Sequence, residues 1–247
     1  QSVTFGSGIT SIEPWAFSHL SITELRLPDS VTSIGDHAFY SAGLIGAVVL
    51  PDSVTSIGDR AFYSAGLIGA VVLPDSVTDL GEASFASNTG VTSVKIGAGI
   101  ERIGIRAFES CGISNLTIPS TVKYVGDYAF RYVPLETLMI ENGVETIGTE
   151  TFSNNPHLTE VVFPPSLRTI GHRAFENNRM LSSVTLNYGL RSIGRHAFVP
   201  IALGETVIAL PETVVGVGSG AFSSWIQLCG GASSLGLDDC EVEGLSG

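Results

Sequence analysis

Residues 27–49 read LPDSVTSIGDHAFYSAGLIGAVV, and residues 50–72 repeat the same 23 letters with Arg60 in place of His37. A weaker form of this unit extends over most of the chain, because Ala-Phe or a variant of it recurs every 22 to 24 residues. The ten phenylalanines are Phe17, Phe39, Phe62, Phe85, Phe108, Phe130, Phe152, Phe175, Phe198 and Phe222. An aliphatic residue lies five positions before each of them, and Gly follows it in every unit but the first. One such unit cannot bury its own apolar side, so this period predicts a solenoid of about ten stacked coils.

Each unit also carries a short alternating segment, which we call the LxL segment. Examples are residues 25–27 (LRL), 116–118 (LTI) and 161–163 (VVF). Alternation predicts a β-strand whose first and third side chains enter the core while the middle one faces outward. Strands stacked about 4.8 Å apart would form one parallel β-sheet in a rod of about 45 to 50 Å. The predicted fold class is an α/β solenoid, with short helical or 3₁₀ turns that carry the Ala-Phe pair opposite the sheet.

The full pattern, I/L-x-x-L/V-x-L/I-P-x-x-V-x-x-I-G-x-x-A-F, closely resembles the BspA-like class of leucine-rich repeats over residues 1–222. The departures are Glu13 in place of Gly, Ser84 and Thr151 in place of Ala, and one extra residue between Phe198 and Ile208. The resemblance implies a leucine-rich repeat fold that contributes no catalytic residues. It also implies a secreted or cell-surface protein that adheres to host matrix proteins or to other cells.

Composition narrows the classes of function. The 247 residues include 12 basic and 24 acidic ones, and the net charge of −12 argues against non-specific binding of nucleic acid. No segment approaches the roughly 20 apolar residues of a transmembrane helix. A catalytic site needs unlike residues that converge on one point, whereas this chain repeats like residues along a line, so we expect neither an enzyme nor a cofactor. The five histidines lie in different units without the partners of a metal site.

The outward positions of the LxL segments are the first candidate for a binding surface. They carry few charges and several apolar side chains, and exposed apolar patches on soluble proteins often mark interfaces. We therefore predict a protein partner for this face; the alternative is that Val and Thr stand there because they suit exposed strand positions. The predicted contact residues are Arg26, Val49, Val72, Lys95, Thr117, Met139, Val162 and Thr185.

Local charge gives a second candidate. Five of the twelve basic residues fall in two adjacent units, where Glu176 is the only acidic residue opposing them. Such a cluster favours a carboxylate-rich partner or a polyanion, unless it is a solvated rim of the turns. Arg173, Arg195 and His196 are the residues predicted to contact a partner there. Equivalent aspartates, such as Asp36 and Asp59, are expected to bond backbone amides in turns and not to bind Ca²⁺.

The two ends and the cysteines leave alternatives open. The chain begins within an LxL segment, without a polar cap, which suggests a piece of a longer protein or an end covered by another subunit. Residues 223–247 lose the period and are expected to be a C-terminal capping segment or tail. An alternative function is therefore a structural subunit whose partners are neighbouring subunits of a larger assembly, and the alternative location is intracellular or organellar. Cys111 is expected to be a buried apolar thiol, whereas Cys229 and Cys240 could close a short disulfide loop.

Overall fold

A computed structural model describes residues 2–3, 5–199, 207–222 and 227–229, and for residues 2, 24, 207 and 227–229 it describes the backbone alone. The chain forms stacked coils, and the LxL segments of successive coils pair in parallel. The pairing sets equivalent residues side by side, as in Thr117 against Met139. These LxL strands are Ser2–Val3, Glu24–Leu25, Ile68–Val72, Gly90–Lys95, Asn115–Ile118, Thr137–Ile140, Glu160–Val162, Ser183–Thr185, Val207–Ala209 and Gln227–Cys229. The LxL segment between Glu24–Leu25 and Ile68–Val72 contributes isolated parallel bridges, in which Val49 pairs with Arg26 on one side and with Val72 on the other.

A second parallel sheet corrects the expectation of a single one. It is formed by the residue pair that precedes each conserved Gly, and we call it the SIG sheet after Ser33, Ile34 and Gly35. Within each pair the second side chain is mostly buried and the first lies nearer to solvent, so the pair alternates as a strand does. Its strands pair in two successive ladders. The first has four strands, Ser11–Ile12, Ser33–Ile34, Ser56–Ile57 and Asp79–Leu80, and the second has six, Arg102–Ile103, Tyr124–Val125, Thr146–Ile147, Thr169–Ile170, Ser192–Ile193 and Gly216–Val217. A run of two residues is too short to be recognised as a strand in the sequence of one unit. These pairs form a sheet only because successive coils stack in register.

The turns around each Phe are not helical, which corrects the predicted helical or 3₁₀ side. Within the described residues these segments are turns, and the residues two before and two after Phe have positive φ, as in Arg106 (55°) and Ser110 (58°). A left-handed residue interrupts a right-handed helix at each of these positions. The backbone N–H of Arg106 donates to Asp127 O at 2.8 Å and that of Phe108 to Ala129 O at 2.9 Å. These donors therefore point to the next coil and cannot close helical bonds within their own.

The interior contains the predicted columns. Consecutive phenylalanines from Phe17 to Phe222 stack with ring centroids 5.0 to 5.6 Å apart. The eight from Phe39 to Phe198 are fully buried, with the aliphatic residues of both sheets around them. The Phe column is thus the core of the solenoid.

Buried asparagines occupy the position three residues after Phe in three coils. Asn178 Nδ2 donates to Phe152 O at 2.9 Å and to Phe175 O at 3.0 Å, and its Oδ1 accepts from Asn155 N at 2.7 Å. Asn88 and Asn155 make similar bonds in their own coils. Because each side chain joins backbone groups of neighbouring coils, these residues satisfy polar groups that the turns would otherwise bury without partners.

Candidate interaction surfaces

The LxL face is the outward surface of the LxL sheet. All eight predicted residues are exposed on it, and they are Arg26, Val49, Val72, Lys95, Thr117, Met139, Val162 and Thr185. Register pairs place them in rows along the solenoid axis, so that Arg26, Val49, Val72 and Lys95 are successive neighbours. The prediction that they contact a partner stays a prediction.

Apolar side chains dominate two parts of this face. Val49 is 74% exposed and Val72 48%, and the two lie between the cationic side chains of Arg26 and Lys95. Met139 is 61% exposed and Val162 50%. Transfer of such surface out of water stabilises a complex by about 25 cal/mol per Å² before the costs of association are subtracted.

The sequence prediction missed two further apolar residues of the LxL face, Ile45 and Ile68. They are 70% and 49% exposed and stand at equivalent positions of the near-identical coils. Ile45 and Val49 line a groove of about 440 Å³ whose rim includes Arg26 and Asp29. The duplication could have identified both residues from the sequence, because it places the same segment, LIGAVV, at equivalent positions in both coils.

A second groove of about 570 Å³ lies around Met139 and Val162. Glu136, Glu160 and Asn187 also line it. The two grooves therefore differ in charge: the first has Arg26 and Asp29 at its rim, whereas the second has the carboxylates Glu136 and Glu160.

Across the solenoid, the turns carry a continuous row of alternating charges, which we call the turn ladder. Arg60 and Arg106 both approach Glu82, with nitrogen–oxygen distances of 3.3 and 3.7 Å. Toward the C terminus, Glu150 lies between Arg131 at 3.3 Å and Arg173 at 3.8 Å. The complete row is Arg60, Glu82, Arg106, Glu109, Arg131, Glu150, Arg173 and Glu176. Each charge has its partner within the chain, and five of the seven pairs were hidden because their members lie 19 to 24 residues apart in the sequence.

The turn ladder changes the interpretation of the predicted basic cluster. Arg173 is paired with both Glu150 and Glu176, the second at 3.6 Å, so its charge is largely compensated. Arg195 is exposed and His196 half-buried. The backbone N–H of Arg195 donates to Nδ1 of His172 at 2.9 Å, which places the neighbouring units in contact. That Arg173, Arg195 and His196 bind a partner stays a prediction.

The stacked aspartates bond backbone amides, as expected from their turn positions. Asp36 Oδ1 accepts from Asp59 N at 2.9 Å, and Asp59 Oδ1 accepts from Glu82 N at 2.7 Å. Each bond joins one coil to the next, so these carboxylates act as links along the axis. In the part of the chain that the structure describes, no group of three or more His, Cys, Asp or Glu residues is placed to hold a metal ion.

The cysteines offer no reactive thiol in the described residues. Cys111 is buried, its Sγ donates to Phe85 O at 3.3 Å, and burial raises its pKa to about 12. Because the thiolate is the nucleophile, such a thiol is inert at neutral pH. Cys240 and the side chain of Cys229 lie outside the described residues, as does most of the predicted tail; its strand Gln227–Cys229 pairs with Val207–Ala209.

Within the described ranges, no helix is long and apolar enough to cross a bilayer.

The repeat matches a known family. Residues 1–92 and 85–203 match the BspA type leucine-rich repeat region, in six copies. No curated protein matches the chain significantly.

Solved structures share the architecture. The pneumococcal vaccine antigen PcpA is 20% identical, with a TM-score of 0.56 over 90% of this chain and 68% of that one. A leucine-rich repeat protein from Eubacterium ventriosum is 19% identical, with a TM-score of 0.54 over 90% of this chain and 66% of that one. A leucine rich cell surface protein from Faecalibacterium prausnitzii is 18% identical, covering 96% of this chain and 88% of that one with a TM-score of 0.44. The first two likenesses establish a common solenoid fold and nothing about ligands.

Proposed function

Because the chain belongs to the BspA type leucine-rich repeat family, we propose that it is a non-catalytic binding module that holds a protein partner on its LxL face. Leucine-rich repeat solenoids generally serve as scaffolds for protein interaction, and they are typically without catalytic activity. Their stacked coils present a long surface whose shape exists before the partner arrives.

The observation that carries this proposal is the exposed apolar surface of the LxL face, which forms two patches separated by Lys95 and Thr117. Val49, Val72, Met139 and Val162 are each about half exposed or more, although the residues on either side of them are buried or, in the case of Leu138, partly buried. On a folded monomer such surface is more often functional than incidental when it is contiguous. Ile45 and Ile68 extend it in the second and third coils.

The mode of binding follows from the rigidity of the coils. Parallel pairing and the Phe column fix the spacing of the outward side chains, so little conformational entropy is lost when a partner docks. A few buried anchors then account for most of the affinity, and the remaining contacts exclude water. We expect Val72 and Met139 to be two such anchors.

We further propose that the module acts in adhesion at the cell surface or in a secreted protein. The support is the resemblance of its repeat to BspA-like proteins, which are mostly found in those places. Its partner would then be a host matrix protein or a protein of another cell surface.

The proposal is tested by binding of the full chain to purified extracellular-matrix proteins, measured by biolayer interferometry. Against any protein that binds, the Val72→Glu and Met139→Glu variants should each weaken affinity about tenfold, because a charge placed at a desolvated anchor is costly. Unchanged affinity in both variants would remove the LxL face as the binding surface.

Val215→Glu is the matched control, since Val215 is 71% exposed but lies beside the SIG sheet. It should bind as the parent chain does. A loss equal to that of the LxL variants would mean that added negative charge, and not the face, controls binding. Light scattering on the same samples detects the structural alternative, an assembly of copies through this face.

A further inference from the structure

Charge is distributed unevenly along the solenoid. Residues 167–199 hold five of the 12 basic residues and one of the 24 acidic ones. The acid in this range, Glu176, pairs with Arg173. Among the described residues, Arg168, Arg191 and Arg195 form no ion pair with a carboxylate. A chain with a net charge of −12 thus keeps four arginines without a carboxylate partner in two neighbouring coils, since Arg179 forms no ion pair either.

Arg168, Arg191 and Arg195 do not themselves line the groove on the SIG sheet, but each is adjacent in sequence to a residue that does. The rear groove has a volume of about 550 Å³ and crosses several coils. Its floor combines the outward hydroxyl residues of the SIG strands with the glycines that follow them, and these are Thr146, Thr169, Ser192, Gly148, Gly171 and Gly194. A Cβ on Gly171 would lie 2.4 Å from the Gly148 carbonyl carbon, so glycine is required for the coils to approach this closely. The same glycines leave the floor without side chains.

Cations occupy positions on both sides of this floor. Arg168 and Arg191 immediately precede the strands Thr169–Ile170 and Ser192–Ile193, and the backbone N–H of Arg191 donates to Arg168 O at 2.8 Å. On the other side, Arg195 follows Gly194 and its N–H donates to His172, which lines the groove. The cationic positions therefore repeat from coil to coil, about 4.8 Å apart along the axis.

We propose that the rear groove binds a linear sulfated polysaccharide that lies along the solenoid axis. Sulfate groups meet Arg168 and Arg191 on one side and Arg195 on the other, with charge-assisted hydrogen bonds to the guanidinium groups. Sugar hydroxyls meet Thr169 and Ser192 on the floor. This site is separate from the LxL face, and it does not depend on the protein partner proposed for that face.

The floor favours a saccharide over other polyanions. An acidic peptide would need pockets for apolar anchors, whereas the isoleucines of this floor are buried and leave mainly hydroxyl groups and backbone exposed. Single-stranded nucleic acid would need aromatic platforms for its bases. Of the two rings that line the groove, Tyr124 and His172, that of Tyr124 is covered by the Arg102 guanidinium at 4.4 Å from its centroid. Its hydroxyl donates to Asp127 Oδ1 at 3.3 Å, and Asp127 supplies the carboxylate among the lining residues.

Isothermal titration of the full chain with a heparin oligosaccharide tests the proposal. Binding should weaken steeply with salt, and a chemically desulfated oligosaccharide of the same length should not bind. The Arg191→Glu, Arg195→Glu double variant should lose about tenfold or more in affinity and show a shallower salt dependence. Thr169→Val, which keeps every charge, should lose between about two- and tenfold through one hydrogen bond.

Lys123→Glu is the matched control, because Lys123 holds the position of Arg168 and Arg191 in its own coil, between the coils of Glu101 and Glu145. Its heparin affinity should change by less than about twofold, as expected of a charge outside the contact. Equal loss in Lys123→Glu, binding of desulfated sugar, or equal binding of a polyglutamate peptide or an oligonucleotide would each overturn the proposal. If the Val72→Glu and Met139→Glu variants keep their affinity for heparin, the rear groove is a site distinct from the LxL face. Loss of heparin affinity in these variants would overturn the proposal.

Discussion

The turn side of the solenoid and the LxL face are built by the same stacking of coils, yet they use it differently. On the turn side, neighbouring residues in a column complement one another, as Arg131 and Glu150 do at 3.3 Å. On the LxL face, neighbours are alike or apolar, as Val49 and Val72 are. The charged groups of the turn side therefore find their partners within the chain, whereas the side chains of the LxL face remain exposed to solvent or available to a partner.

This difference separates stability from binding in the same fold. Interactions that lock coil to coil, such as the Phe column, the buried asparagines and the turn ladder, are concentrated at the turns. Residues of the LxL face can change with little effect on folding, since exposed substitutions usually alter stability by less than about 0.5 kcal/mol. The comparison predicts that substitutions on the turn side cause large losses of stability and that substitutions on the LxL face cause small ones.

The largest expected effect is that of Phe108→Ala in the Phe column. Phe108 is fully buried between Phe85 and Phe130, each at 5.5 Å between centroids, so truncation leaves a cavity that rigid coils cannot close. We expect a loss of about 3 to 5 kcal/mol in the free energy of unfolding, measured by urea denaturation. Thr117→Ala on the LxL face is the control and should cost less than about 0.5 kcal/mol. Equal losses of stability in the two variants would contradict the proposed difference between the turn side and the LxL face.

A smaller effect is expected for Asn178→Ala. The change leaves buried backbone oxygens of Phe152 and Phe175 and the backbone N–H of Asn155 without this partner. An unsatisfied buried group costs about 1 to 3 kcal/mol, so the loss should fall in or above that range. Asn115→Ala removes an exposed amide that accepts from Thr137 Oγ1 at 2.6 Å and should cost less than about 1 kcal/mol. Thermal melting of both variants tests whether the buried asparagines, like the Phe column, contribute to the stability of the turn side.

The smallest effect concerns the turn ladder and its pH dependence. Burial raises the pKa of Glu109 above its ordinary value of 4.5, and Arg106 and Arg131 only partly oppose this rise. A raised folded-state pKa means that the stability contributed by this group is fully present below 4.5 and is lost as the pH rises through the folded value. Glu109→Gln cannot ionise, so its melting temperature should rise relative to the parent chain as the pH increases through that window. A relative fall would mean that the arginines outweigh burial.

The sequence predicted the part of the fold that depends on repeated residue types. The Phe column, the alternation of the LxL segments and the outward positions of Val72 and Met139 follow from periodicity, because like residues stack on like residues. The SIG sheet was not predicted, since two residues per coil give too short a pattern. The prediction of helical turns was wrong because positions such as Arg106 and Glu150 share no residue type that favours positive φ. Hydrogen bonds between coils impose that conformation.

For the candidate surfaces, the sequence identified which residues face outward and tertiary structure decided which of them are already paired. Arg173 and Arg195 look equivalent in a list of basic residues, but only Arg173 lies between Glu150 and Glu176. Repetition in the sequence fixes a coil of about 23 residues and its buried columns, because each unit must hide the same apolar side. Contacts between residues one coil apart depend on the register and curvature of the stack, and these arise only when all the coils pack together.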